Sequence, residues 1–231
     1  MRLDRFLTHV GLGTRKDVKL VIRTKRVKIN EVIVTNDGAQ VNTSIDQVKV
    51  DDEVKTYKEY RYYLLNKPVD YVCANEDKLS STVIDLNPNF STFNVHTVGR
   101  LDKDTTGALL LTNNGLLTHR LINPKFNVEK IYSVTVDRDL DNALVEQFLE
   151  GFLVNDEYKT LPSKLEITGT RQARLTLTEG KYHQVKRMFL HFGYKVLTLN
   201  RDQFHHLRVD DLKLGESREL TEHEEKSLFI D

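Results

Sequence analysis

Gly99-Arg100-Leu101-Asp102-Lys103-Asp104-Thr105-Thr106-Gly107 runs without a break into Ala108-Leu109-Leu110-Leu111, which ends at Thr112-Asn113-Asn114-Gly115. Glycine, two carboxylates and two threonines within nine residues describe a turn, because short Asp and Thr side chains bond their own backbone. On that ground alone Asp102 is a turn residue. The apolar stretch after it is far too short to cross a bilayer and reads as a buried strand. Further strands are expected at 61–65, closed by Asn66-Lys67-Pro68, and at 130–136, 173–178 and 195–200. Helices are expected at 141–150, closed by Gly151, and at 183–192, closed by Gly193. The order is α+β with a mixed, mainly antiparallel sheet and flanking helices, since no regular βαβ alternation is present.

A chain of 231 residues has room for one large domain or two unequal ones, and 39% apolar with 29% charged residues is a globular composition. This excludes a disordered tail protein. The opening Met1-Arg2-Leu3-Asp4-Arg5 puts charge where a leader would need an apolar core, so a cytoplasmic protein is expected. The single cysteine, Cys73, fits a reducing compartment and can form neither an internal disulfide nor a thiolate zinc site. His183, His205 and His206 invite a metal reading, but no carboxylate or thiol completes a familiar spacing, and no metal is expected.

The 34 basic and 34 acidic residues cancel, yet they are segregated. Between Arg15 and Lys28 seven Lys/Arg face one Asp, a local excess of +6, whereas residues 209–231 carry a net −5. Leu3, Phe6, Leu7 and Val10 follow helical spacing, which Gly11 and Gly13 end. Thr14 and Asp17 then form a capping-box pattern for a second helix with Val18, Val21 and Ile22 on its buried stripe. Lys16, Lys19 and Arg23 line the other face. Such a stripe is either an ordinary solvated surface or a phosphate-binding one. Short strands follow at 27–29, 32–34 and 47–50, and the polar stretch 56–59 reads as a linker. The domains are expected at 1–57 and 58–231.

Arg2-Leu3-Asp4 through Gly11, Thr14-Arg15-Lys16-Asp17 and Arg26-Val27-Lys28-Ile29-Asn30 resemble the alpha-L RNA-binding domain shared by a ribosomal small-subunit protein, tyrosyl-tRNA synthetases and several RNA-modifying enzymes. That family often has glycine where this chain has Lys25 and Glu31, both at turns. The resemblance implies RNA contact through Arg15, Lys16, Lys19, Arg23, Arg26 and Lys28, directed at the phosphate backbone and sensitive to salt.

In the larger domain Gly-Arg-Leu-Asp, then Thr-Thr-Gly, the apolar strand and Thr112-Asn113-Asn114-Gly115 look like the signature of pseudouridine synthases of the RsuA branch. Leu65-Asn66-Lys67-Pro68, Glu129-Lys130-Ile131-Tyr132 and Glu179 through Met188 resemble its other motifs in the same order. The resemblance implies a cofactor-free enzyme that converts uridine to pseudouridine in small-subunit ribosomal RNA. It implies Asp102 as the catalytic carboxylate, acting as nucleophile on the ribose or through a glycal, with Tyr132 against the base and Lys186 as the basic partner. Arg187 competes with Lys186 for the ion pair, because both lie with His183 on the polar face of their helix. Arg100 would fill the gap left by the flipped nucleotide, its plain alternative being a salt bridge. Tyr132 has the alternative of a packed core tyrosine. Arg201 and Arg208 with the nearby histidines are expected to extend an RNA-facing surface. Large-subunit RNA as target, and a non-catalytic ribosome-assembly factor, are the rival functions. A monomer is expected, since no apolar helix or edge strand announces a dimer surface.

Overall fold

The computed structural model describes residues 1–154 and 157–229. The chain forms two compact units, one of residues 1–61 with 88–94, the other of residues 62–87 with the remainder from 95. Helices α1 (Leu3–His9) and α2 (Arg15–Arg23) open the first unit, followed by β1 (Val27–Ile29), β2 (Val32–Ile33), β3 (Val48–Val50) and β4 (Glu53–Lys55). The strands pair antiparallel in the order β2-β1-β3-β4. Leu3, Phe6, Leu7, Val18, Ile22, Val27 and Val48 bury their side chains in one core.

Both ends of α2 are set locally. The Thr14 hydroxyl accepts from the Asp17 amide and the Asp17 carboxylate accepts from the Thr14 amide, a complete capping box. At the other end the Arg26 amide donates to Val21 O and the Lys25 amide to Ile22 O, the paired bonds of a Schellman turn. That turn holds Lys25 at φ 62°, and the β1–β2 turn holds Glu31 at φ 68°. These are the two positions where the resembled domain family often has glycine, and here Lys25 and Glu31 take the left-handed geometry.

The second unit is built on a nine-stranded sheet. Its strands are β5 (Tyr62–Lys67), β6 (His96–Thr97), β7 (Thr106–Thr112), β8 (Lys130–Val136), β11 (Lys164–Gly169), β12 (Gln172–Leu177), β13 (Val196–Phe204), β14 (Leu207–Arg208) and β15 (Ser217–Glu219). A separate pair, β9 (Leu153–Val154) and β10 (Tyr158–Lys159), stands beside it. The order is β11-β12-β8-β13-β7-β5-β15, with β14 on β13 and β6 on β7, and every pairing is antiparallel except β13 with β7. Helices α4 (Gly115–Ile122), α5 (Ala143–Glu150), α6 (Gln184–His191) and α7 (Glu222–Ser227) flank it, while α3 (Pro88–Thr92) belongs to the first unit. Ala108 and Leu110 of β7 pack with Leu64, Leu117, Leu121 and Phe204.

Two strands run further than the apolar pattern suggests. β5 continues through Asn66 and Lys67, which pair with Ala108 and Gly107, and β13 continues to Phe204, which pairs with Lys130. In both cases polar side chains interrupt the apolar pattern while the ladder continues. Arg201, expected on an RNA-facing surface, is instead 2% exposed inside the sheet. Its backbone lies so close to Gly107 that a Cβ there would come within 2.2 Å of Arg201 O.

Replacing Lys25 with glycine should stabilise the first unit by about 0.5–1 kcal/mol, the relieved left-handed strain exceeding the added unfolded-state freedom. Urea unfolding measures this; an unchanged or lowered midpoint contradicts the strain assigned to Lys25.

Candidate active site

Asp102 sits in the loop between β6 and β7, and its place is fixed from beneath. The Lys67 side chain is completely buried, and its ammonium donates to Pro68 O, Asp102 O, Lys103 O and Thr105 O at 3.0, 3.0, 3.3 and 2.9 Å. Burial lowers the Lys67 pKa, partly offset by Cys73, Asp104 and Asp102. The loop backbone is thus held while the Asp102 carboxylate projects toward α6.

There Lys186 Nζ lies 3.1 Å from Asp102 Oδ2 and 2.5 Å from Asp104 Oδ1, and His183 Nε2 lies 3.5 Å from Asp102 Oδ1. Burial works against the Lys186 ammonium, but hydrogen bonds and charge from Asp104 and Asp102 outweigh it and raise its pKa. The same bond to Lys186 holds the Asp104 pKa below the ordinary carboxylate value. Arg187 turns the other way and pairs with Glu157. The choice between two neighbouring cations on α6, open in the sequence, falls geometrically to Lys186.

The loop entering α6 is itself latched. Glu179 and Gln184 are both buried, Gln184 Nε2 donating to Glu179 Oε1 at 2.5 Å and the Lys181 amide to Gln184 Oε1 at 2.8 Å. His183 precedes α6 in a left-handed conformation, φ 47°, with its ring stacked on Tyr182. Backbone in that region is retained where surrounding contacts over-determine it, and here it directs His183 toward Asp102.

Asp102 and Lys186 stand over a narrow cavity of about 110 Å³ lined also by Arg100, Lys130, Tyr132, Glu179, Arg201 and Phe204. Tyr132 is 8% exposed on β8 between Leu175 and Arg201 of the adjacent strands. It is therefore packed and cavity-lining at once, so the two readings of this residue are compatible. Arg100 is exposed at the mouth, where a wider groove also takes in Cys73, Asp77 and Tyr182. The geometry brings together Arg100, Asp102, Tyr132, His183 and Lys186. Lys67, Asp104, Lys130, Glu179 and Arg201 were missed as site residues. Lys67, Asp104, Lys130 and Glu179 lie inside the quoted motifs but carried no spacing signal of their own.

Arg15, Lys16, Lys19, Arg23, Arg26 and Lys28 belong to the other compact unit. Arg15, Lys16 and Arg23 are exposed, whereas Lys19 pairs with Asp37, Arg26 with Asp51 and Lys28 with Asp52. Acids from distant loops thus neutralise part of the local positive excess. Among the described residues no group of three or more His, Cys, Asp or Glu side chains is placed to hold a metal ion. No helix there is long and apolar enough to cross a membrane.

A carboxylate fixed beside an ammonium over a tyrosine-lined cavity suits nucleophilic chemistry on an extruded ring. Sequence comparison agrees with that geometry: the profile described as RNA pseudouridylate synthase matches residues 61–191. The chain belongs to the RNA pseudouridylate synthase family. Its full-length relatives put it in the RsuA branch. It is 40% identical to ribosomal small subunit pseudouridine synthase A of Haemophilus influenzae, over 99% of both chains. It is 37% identical to the Escherichia coli protein of the same name, over 97% of this chain and 98% of that one. An RNA pseudouridine synthase of Bacillus subtilis is 40% identical, over 97% and 96%. A crystal structure of a pseudouridylate synthase, 38% identical, superposes with a TM-score of 0.70 and covers 99% of each chain.

Lys130 supplies a test of the buried site. Burial and the neighbouring Arg201 push its pKa down to about 8, Glu179 opposing. Between about pH 8 and the ordinary lysine value near 10.4 the unfolded chain holds a proton that the folded chain has released, so stability rises with pH there. The slope from this group is at most about 1.4 kcal/mol per pH unit. Lys67 contributes in the same sense, so the comparison is by difference: Lys130→Met should flatten the rise in urea-unfolding free energy across that window. An undiminished slope would show that Lys130 does not titrate inside the fold.

Proposed function

We propose that this enzyme isomerises one specific uridine in small-subunit ribosomal RNA, with Asp102 as the group that attacks the flipped nucleotide. The observation that carries the reading is the Asp102 carboxylate held 3.1 Å from Lys186 over the cavity lined by Tyr132. Asp102 adds to the ribose anomeric carbon or takes the proton that gives a glycal, and in both routes the base detaches, turns and rejoins through carbon 5. Tyr132 stacks on the base and assists removal of the carbon-5 proton. Arg100, exposed at the mouth, occupies the space that the extruded nucleotide leaves in the helix, and its planar cation suits stacking or phosphate contact.

The choice of small-subunit RNA rests on relatives of nearly full length that carry that name. A target in large-subunit RNA and a non-catalytic assembly factor are both disfavoured, the second by membership of an enzyme family. The N-terminal RNA-binding domain, residues 1–57, docks RNA through Arg15, Lys16 and Arg23, assisted by Lys19, Arg26 and Lys28. The catalytic domain, 58–231, carries His183 and Arg187 as further RNA contacts. The protein acts as a monomer in the cytoplasm, on the small subunit or an assembly intermediate of it.

Small-subunit and large-subunit RNA from a strain lacking the protein should be incubated with wild type and Asp102→Asn, and pseudouridine mapped by carbodiimide-dependent reverse-transcription stops. One new stop in the small-subunit RNA is expected with wild type. The variant should be slower by a factor of about 10⁴ or more. A stop in large-subunit RNA, or none on the free RNAs and none when the assay is repeated with assembling particles, would overturn the substrate assignment. Changing Arg15, Lys16 and Arg23 together to glutamine should weaken RNA binding and make the slope of log K against log salt shallower by about 2–3. An unchanged slope would remove this surface from the RNA interface.

A further inference from the structure

Beneath Asp102 and Lys186 the cavity has a cationic floor that this pair does not explain. Arg201 is 2% exposed and Lys130 8%, and both line the cavity with Tyr132. Arg201 is the cross-strand neighbour of Tyr132, so the two side chains leave the same face of the sheet. The Arg201 Nε donates to Ala108 O at 2.8 Å, and its guanidinium lies 4.9 Å from the Phe204 ring centre. Its Nη2 is buried with no hydrogen-bond partner among the described residues. Lys130 Nζ donates to Val128 O at 2.7 Å and Thr178 O at 3.3 Å, which leaves one N–H of the ammonium.

Glu179, the acid that lines the same cavity and acts on Lys130 by charge, is otherwise engaged. Glu179 Oε1 accepts from the Leu161 amide and from Gln184, and Oε2 faces Lys181. Among the described residues neither Arg201 nor Lys130 is joined to a carboxylate by an ion pair. A buried guanidinium with an unused donor is unfavourable in the empty fold and becomes favourable once an acceptor enters. Preorganised donors of this kind act most strongly on charge that develops during reaction.

We propose that Arg201 and Lys130 form the base-recognising floor of the active site, donating to the carbonyl oxygens of the extruded uracil and stabilising the monoanion it becomes when the N1–C1′ bond breaks. The inference rests on the reaction proposed above. On either route the N1–C1′ electron pair leaves with the base, while Asp102 forms a bond to C1′ or takes the C2′ proton. The charge then spreads over N1, O2 and O4. When C5 bonds to C1′, the Asp102 bond breaks or C2′ regains its proton; the C5 proton leaves and N1 takes one, so the net change is isomerisation. Cytosine carries an amino donor in place of O4, so the same floor rejects it by setting donor against donor.

The test compares single-turnover loss of the target nucleotide as uridine and as 5-fluorouridine, in the same RNA, for wild type, Arg201→Gln, Arg201→Lys and Lys130→Met. Fluorine makes the departing base a better anion, which needs less help from the floor. Arg201→Gln and Lys130→Met should each slow uridine by about 100-fold. They should slow 5-fluorouridine markedly less, and Arg201→Lys should fall between them and wild type. If Arg201→Gln fails a thermal-melting check, Arg201→Lys and Lys130→Met carry the comparison. An equal slowing of both nucleotides, or an unchanged rate on uridine, overturns the floor alone. A wild type that leaves every uridine intact overturns the reaction on which the floor rests, and the floor with it.

Discussion

The Lys67 ammonium, sealed inside the sheet and bonded to the carbonyls of Pro68, Asp102, Lys103 and Thr105, is the contact on which the active site depends. A buried charge is tolerated only where hydrogen bonds replace its hydration, and here backbone carbonyls do so. Because three of them belong to one loop, satisfying the ammonium fixes the path of that loop. The loop then enters β7 at Gly107, where the backbone of Arg201 leaves no room for a side chain. Pinned by charge at one end and by close packing at the other, residues 102–105 have little freedom to move the Asp102 carboxylate.

That rigidity distributes charge by depth. At the mouth Lys186 is shared between Asp102 and Asp104, with His183 3.5 Å away on the other carboxylate oxygen. Lower down Lys130 and Arg201 flank Phe204 and Tyr132, and among the described residues neither has a carboxylate ion pair. The upper ion pair fixes the Asp102 carboxylate over the cavity, and the lower cations suit an electron-rich ring. Preorganised charge in a partly closed cavity is worth more than the same charge in water, because no solvent must reorganise as the bonds change.

Much of this was legible in the sequence, and the part that was not has one physical character. Asp102, Tyr132 and Lys186 fall in stretches with a recognisable order, and the capping of α2 by Thr14 and Asp17 is purely local. Lys67, Arg201 and Glu179 bond backbone groups or side chains brought near by the sheet, and no spacing rule encodes such partners. Arg201 and Lys67 interrupt apolar patterns, so Arg201 was assigned to the surface and β5 was ended too early. Helical periodicity left Lys186 and Arg187 on one face; Glu157, from outside the helix, separates them by claiming Arg187. In the first unit Asp37, Asp51 and Asp52 temper a basic patch that looked unopposed in the linear chain.

The central claim, that Asp102 drives exchange of the N1 bond for a C5 bond on uridine, is read most directly by tritium. Small-subunit RNA labelled at C5 of uridine should release its label into water with wild type until one equivalent per target site is freed, whereas Asp102→Asn should release none above background. Undiminished release by Asp102→Asn would contradict the account.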